Sequence, residues 1–210
     1  MSPWRDLARC AAVTMVCGAL TACSFAPKTE QPAIYDLGAP ASRAPANPGI
    51  GAVLYLPEAT APVWLNGPGI VYRLGFENPP RAQPYALSRW SEAPAALLTE
   101  RLRNRFSAAA KGVVTGLDGV RADYLLRVEL EDFSQSFDTP TASRVSLKAR
   151  ISLVSLATRA LIAQRAFAVD RAAPTPDAPG AVTALAAASE EFVEDALRWT
   201  ERELAAAVRR

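Results

Sequence analysis

An α+β fold is what this 210-residue chain predicts: a mainly antiparallel sheet with two amphipathic helices packed on it, preceded by a signal peptide and a Pro/Ala-rich tether. Three observations carry that prediction. Apolar residues alternate with polar ones at a period of two in segments between Ile50 and Val169, the mark of strands with one buried face. They recur at helical spacing in Glu92–Ala110 and again from about Gly180 to Arg209, the mark of helices with one buried stripe. Strands come in runs, with helices after the runs and not between every pair, which favours antiparallel pairing.

The N-terminus comes first. Arg5 and Arg9 precede an apolar run from Cys10 to Leu20, which ends in Leu20-Thr21-Ala22-Cys23. A span of hydrocarbon needs ~20 apolar residues, so this run is too short to cross a bilayer and has the length of a signal-peptide core behind a basic segment. An aliphatic residue, two small residues and a cysteine in that order suit cleavage before Cys23, whose thiol then takes acyl chains. Residues 1–22 are therefore read as a lipoprotein signal peptide, 23–48 as a lipid-anchored tether and 49–210 as the folded domain.

The tether carries Pro27, Pro32, Pro40, Pro45 and Pro48, which no helix survives. Its one apolar interruption, Ile34-Tyr35-Asp36-Leu37-Gly38, reads as an edge strand, where flanking prolines are tolerated. Ile50–Leu56 and Ile70–Leu74 read as strands on either side of a Pro/Gly-rich loop that holds Trp64, and Tyr85–Trp90 as a shorter one. Ser91 is a candidate N-cap for the first helix, whose Leu98, Leu102 and Phe106 share a face. Pro94 falls in its first turn, where a missing amide costs little.

Downstream, Tyr124–Phe133 and Arg144–Val154 alternate cleanly and predict a hairpin around Ser134–Ser143. Its expected register sets Leu130 opposite Leu147, Val128 opposite Ala149 and Glu129 opposite Lys148, at the cost of Arg127 facing Arg150. Leu161–Val169 is a last strand, and Ala172–Pro179 a loop. The closing helix buries Val182, Leu185, Ser189, Phe192, Val193, Ala196, Thr200, Leu204 and Ala207, with Glu190, Glu191, Glu194 and Asp195 outside and Glu194–Arg198 as an i,i+4 pair.

Composition excludes several functions. The chain has no histidine, so Ser-His-Asp, Cys-His and His-metal mechanisms are out. Of three cysteines, Cys10 and Cys17 lie in the signal, which leaves Cys23 alone and no disulfide within one mature chain. Lys and Arg number 23 against 21 Asp and Glu, a balance that makes nucleic acid a poor partner. Neither Gly67-Pro68-Gly69 nor Gly116-Leu117-Asp118-Gly119 continues into a phosphate-binding loop; both read as turns. Ser146 and Lys148 share a strand face but belong to no Ser-x-x-Lys motif. The acidic residues read as a solvated surface, and no catalytic residue, cofactor or metal is expected. Trp64, in a loop where nothing forces burial, and with it Tyr72, are the candidate contacts for a partner or lipid.

Taken in order, several of these segments resemble one family. Leu20-Thr21-Ala22-Cys23, Ile34-Tyr35-Asp36-Leu37, Val63-Trp64-Leu65-Asn66-Gly67-Pro68-Gly69-Ile70-Val71-Tyr72-Arg73, Arg89-Trp90-Ser91-Glu92-Ala93-Pro94, the strand Tyr124–Phe133 and the alanine-rich C-terminal helix are similar to the ABC-type transport auxiliary lipoproteins related to paraquat-inducible protein C. The tether departs from that pattern in its richness in alanine and proline. The resemblance implies a non-enzymatic, periplasm-facing lipoprotein that accompanies an MCE-domain protein, a permease and an ATPase in moving lipid between membranes, and is open to homo-oligomer formation. Ser24 after the cysteine, where Asp would retain a lipoprotein at the inner membrane, implies an outer-membrane address. The alternative is an outer-membrane assembly lipoprotein for lipopolysaccharide or barrel proteins; an envelope enzyme is a more distant one.

Overall fold

The computed structural model describes residues 30–39, 49–77, 81–116 and 119–209. Cys23 and the segments read as signal peptide and most of the tether lie outside them. The elements are β1 (Ala33–Tyr35), β2 (Ile50–Tyr55), a 3₁₀ turn (Val63–Leu65), β3 (Gly69–Leu74), β4 (Ala82–Trp90), α1 (Pro94–Ser107), β5 (Ala110–Val114), β6 (Tyr124–Thr139), β7 (Ala142–Ser155), β8 (Leu161–Ala172) and α2 (Ala178–Val208). The fold is α+β, as the sequence predicts.

The spine is β6. One edge pairs antiparallel with β7 along nearly its whole length, and β7 pairs antiparallel with β8. The other edge is shared between two strands that run parallel to it: β2 at Tyr124–Leu125 and β3 at Ser134–Phe137, with a bridge from Thr60 to Glu129 between them. β4 then joins β3 antiparallel, and β1 and β5 complete the sheet by parallel pairing to β4 and β2. The long ladders are antiparallel and the short ones mixed, a feature that periodicity does not reveal.

Both helices lie on one face. α2 packs on β6, β7 and β8, while α1 packs on α2 and β5. Leu126, Val128 and Leu130 of β6, Val145, Leu147, Ala149, Ile151 and Leu153 of β7, Leu98, Leu102 and Phe106 of α1, and Leu185, Phe192, Val193 and Ala196 of α2 form its buried centre. Phe167 makes edge-to-face contacts with Phe192 and Trp199, at 5.6 and 5.8 Å between ring centroids.

Several expectations shift. The β6–β7 register moves by two, with Leu130 opposite Ala149, Val128 opposite Ile151 and Glu129 opposite Arg150. The parity survives, so each face keeps its residues. The cause is that Ser134–Ser143 is not a loop: both strands continue through it to a two-residue turn at Pro140-Thr141, and an irregularity between Leu130 and Asp132 takes up Glu131. This bulge brings Phe133 back to the core and relieves the Arg127–Arg150 clash, since Arg150 now lies 2.7 Å from Glu131.

The first helix starts later and ends earlier than the apolar spacing suggests. Its N-cap is Ala93, not Ser91, with Pro94 as first residue. Ala110–Val114, partly assigned to that helix by sequence, is the edge strand β5. In α2 the Glu194–Arg198 pair is replaced: Arg198 pairs with Asp195, and Glu194 turns to Arg105 of α1 at 2.6 Å. With Arg101 bonded to Glu190, the two helices are joined by a ladder at constant sequence offset, so they run side by side in one direction. Glu190 and Glu194 are therefore interhelical partners and not a solvated surface. Val182 and Ala207, expected on the buried stripe, are half-buried.

Candidate partner and ligand surfaces

Trp64 sits in the 3₁₀ turn, with 39 % of its surface exposed. Arg73 places its guanidinium 4.6 Å from the Trp64 ring centroid. The same guanidinium donates to Ser134 Oγ and to Asp132 Oδ1, the latter at 3.3 Å. Trp64 is thus the outer layer of a Trp-Arg-carboxylate stack on the sheet face opposite the helices. Beside it Val63 is 86 % exposed, so the turn presents two apolar side chains to its surroundings.

Tyr72 lies elsewhere. It precedes Arg73 in β3 and points to the other face, where its ring lies 4.7 Å from Tyr85 and 5.9 Å from Phe137. Its hydroxyl donates to Gln83, while Tyr85 donates to Gln135 Oε1 at 2.7 Å. Gln135, fully buried, donates in turn to Ser143 and to the carbonyl of Asp177, the N-cap of α2. Burial, then the charge of Asp177, then Tyr72 push the Tyr85 phenol up to about 12. Hydrogen bonds from Thr175 and from the Gly180 amide hold the Asp177 carboxylate below its ordinary range. The two sequence candidates are therefore not brought together: Tyr72 belongs to a polar-aromatic cluster that seats α2, Trp64 to the opposite surface.

Arg101 stands in a helix with Arg103 and Arg105, and nothing in the spacing of the sequence sets it apart from them. Its side chain is 7 % exposed and donates to the carbonyls of Leu37 and Gly38 as well as to Glu190. Desolvation lowers its pKa, with Asp36 and Glu100 opposing. Gly38 has φ +72°, a left-handed conformation that glycine adopts without strain. Together with buried Leu37 and the bond from the Ser91 amide to Tyr35 O, Arg101 fixes the chain just after β1.

A second feature invisible to periodicity is a groove of about 640 Å³ between the start of β2 and the end of α2. Ile50, Tyr124, Leu204 and Val208 supply apolar walls, while Lys111, Asp123 and Glu201 supply charge. Small residues at Gly49, Gly51, Ala52 and Ala205 leave it open.

Ser146 and Lys148 share the face opposite the helices, facing Ser134 and Asp132 across the ladder. Their Cα atoms stand about two strand steps, ~6.7 Å, apart. No hydrogen bond joins them among the described residues. No group of three or more acidic, His or Cys side chains able to hold a metal occurs among the described residues, and no described helix is long and apolar enough to cross a membrane.

A helix pair on one side of a mixed sheet, joined by the Arg101–Glu190 and Arg105–Glu194 pairs, defines an α+β scaffold. The chain belongs to the family described as ABC-type transport auxiliary lipoprotein component, whose sequence profile it matches over residues 35–196. The fold is similar to that of a solved protein from Xanthomonas campestris, with a TM-score of 0.73 at 17% identity over 84% of this chain and 99% of that one. It is similar also to a solved uncharacterized protein, with a TM-score of 0.63 at 17% identity over 81% of this chain and 99% of the other. Among curated proteins none matches.

Proposed function

We propose that the protein is a non-enzymatic accessory of an ABC-type intermembrane phospholipid transport system, held to the outer membrane by acyl chains on Cys23 and facing the periplasm beside an MCE-domain protein, a permease and an ATPase. The observation that carries this reading is the family match, which spans the sheet and most of α2. The Leu20-Thr21-Ala22-Cys23 sequence supplies the anchor, and Val63 and Trp64 supply an exposed apolar surface for a protein partner.

Crosslinking in whole cells followed by mass spectrometry tests the partner. Recovery of an MCE-domain protein supports the reading; recovery only of lipopolysaccharide-export or barrel-assembly proteins replaces it with an assembly role. The anchor has its own test. Changing Cys23 to Ala removes the acylated thiol, so membrane fractions should lose the protein while the domain retains its circular dichroism spectrum. A Cys23→Ala chain that still carries acyl groups by mass would refute the attachment point.

A further inference from the structure

The groove at the end of α2 has three properties that core packing does not account for. First, β2 carries an irregularity between Ile50 and Val53 against β5, so Gly51 and Ala52 together oppose Lys111. Such bulges re-aim side chains and frequently border sites. Second, the hollow is kept open by residues with little or no side chain, and a Cβ on Gly49 would meet Glu201 Oε1 at 2.6 Å, so the Glu201 carboxylate leans over bare backbone at its rim. Third, charge and apolar surface are combined in one place. Asp123 uses Oδ2 to accept the Val53 amide at 2.8 Å, whereas Lys111 and Glu201 enter no ion pair among the described residues. Val208, 81 % exposed, extends the apolar wall formed by Leu204.

We propose that this groove binds the head and upper acyl chain of a zwitterionic aminophospholipid. Lys111 meets the phosphate, Glu201 and Asp123 meet the ammonium, and Leu204, Val208 and Tyr124 meet the first methylenes. The opposed signs of the lining match a ligand that carries both charges, and an anionic lipid would leave the two carboxylates facing no cation. The volume falls within the ~300–1,000 Å³ of small-molecule sites, room for one head and part of a chain and not for sequestration of a whole lipid. The groove thus presents a lipid at the surface instead of enclosing it. The proposal rests on the phospholipid-transport reading only for the source of its ligand.

The test uses the full-length acylated protein in vesicles of equal parts phosphatidylethanolamine and phosphatidylglycerol, with photoreactive p-benzoylphenylalanine replacing Val208, which is 81 % exposed at the rim and already apolar. A second protein carries it at exposed Ala166 on β8, on the sheet face away from the helices. Irradiation should give phosphatidylethanolamine adducts at 208 in clear excess over phosphatidylglycerol and over the yield at 166. Adding Lys111→Glu, which turns a charge-assisted contact into a repulsion, should cut the adduct at 208 by about tenfold. Because Lys111 is exposed, an unchanged melting temperature verifies the fold. Equal yields at the two positions, no preference between the lipids, or indifference to Lys111→Glu would overturn the proposal. None of these readouts needs a partner protein. Adducts without MCE crosslinks in cells reject the transport-complex reading and keep the groove; the converse outcome rejects the groove alone.

Discussion

Single side chains decide where this fold is vulnerable. Arg101 is buried yet charged because three acceptors meet it, two of them main-chain carbonyls. Arg101→Met leaves those acceptors without a donor, and a loss of about 2–4 kcal/mol is expected in denaturant unfolding, with faster proteolysis between Ala33 and Gly38. Tyr85 makes a pH-dependent contribution. Its folded pKa is about 12 against an ordinary 10.0, so the folded state keeps the phenol protonated where the unfolded chain has lost the proton. That contribution is complete below pH 10 and is lost as pH rises toward 12. Tyr85→Phe should flatten the decline of stability over that interval, while costing about 1–2 kcal/mol at neutral pH because Gln135 Oε1 is left buried without its donor. Sequence could not have singled out either residue: Arg101 looks like Arg103 and Arg105, and Tyr85 like any aromatic on a strand.

At the scale of elements, what the sequence made legible was the set of apolar faces. Val145, Leu147, Ala149, Ile151 and Leu153, every second residue of the alternating run Arg144–Val154, are fully buried, and Leu98, Leu102 and Phe106 are too. Alternation fixes a face but not a register, because a shift of two leaves every side chain on the same side. The true register was set by a bulge and by polar residues that alternation treats as loop. Ser134 and Gln135 are buried, their polar atoms satisfied by Arg73, Asp132, Tyr85 and Ser143. The acidic residues of α2 were misplaced for a related reason, since a helical wheel shows a polar face without showing that another helix lies against it. Glu194→Lys converts the contact with Arg105, whose two side chains are 21 % and 17 % exposed, into a repulsion. An unfolding free energy lower by about 1–2 kcal/mol is expected, and Arg105→Glu in the same chain should restore part of it.

For the molecule as a whole, composition and order along the chain said more than any motif. The absence of histidine removes the side chain that ordinarily titrates near neutrality. The melting temperature of the mature protein should therefore vary little between pH 6 and pH 8, and a steep change by calorimetry in that interval would point to a group not accounted for. Family membership was legible because the strand and helix segments recur in order; the groove was not, because it is made by a bulge and by small residues, which leave no periodic trace. The fixing of the chain at β1 has a last consequence, one of reach. On the proposed attachment at Cys23, Gly49 lies 49 − 23 = 26 residues away, whereas docking of β1 puts a fixed point of the domain at Ala33, 33 − 23 = 10 residues away. At ~3.6 Å per fully extended residue, ten residues span at most ~36 Å, against ~94 Å for 26. If Cys23 carries the anchor as we propose, Arg101 and Leu37 thereby limit the height above the membrane at which this domain can meet anything.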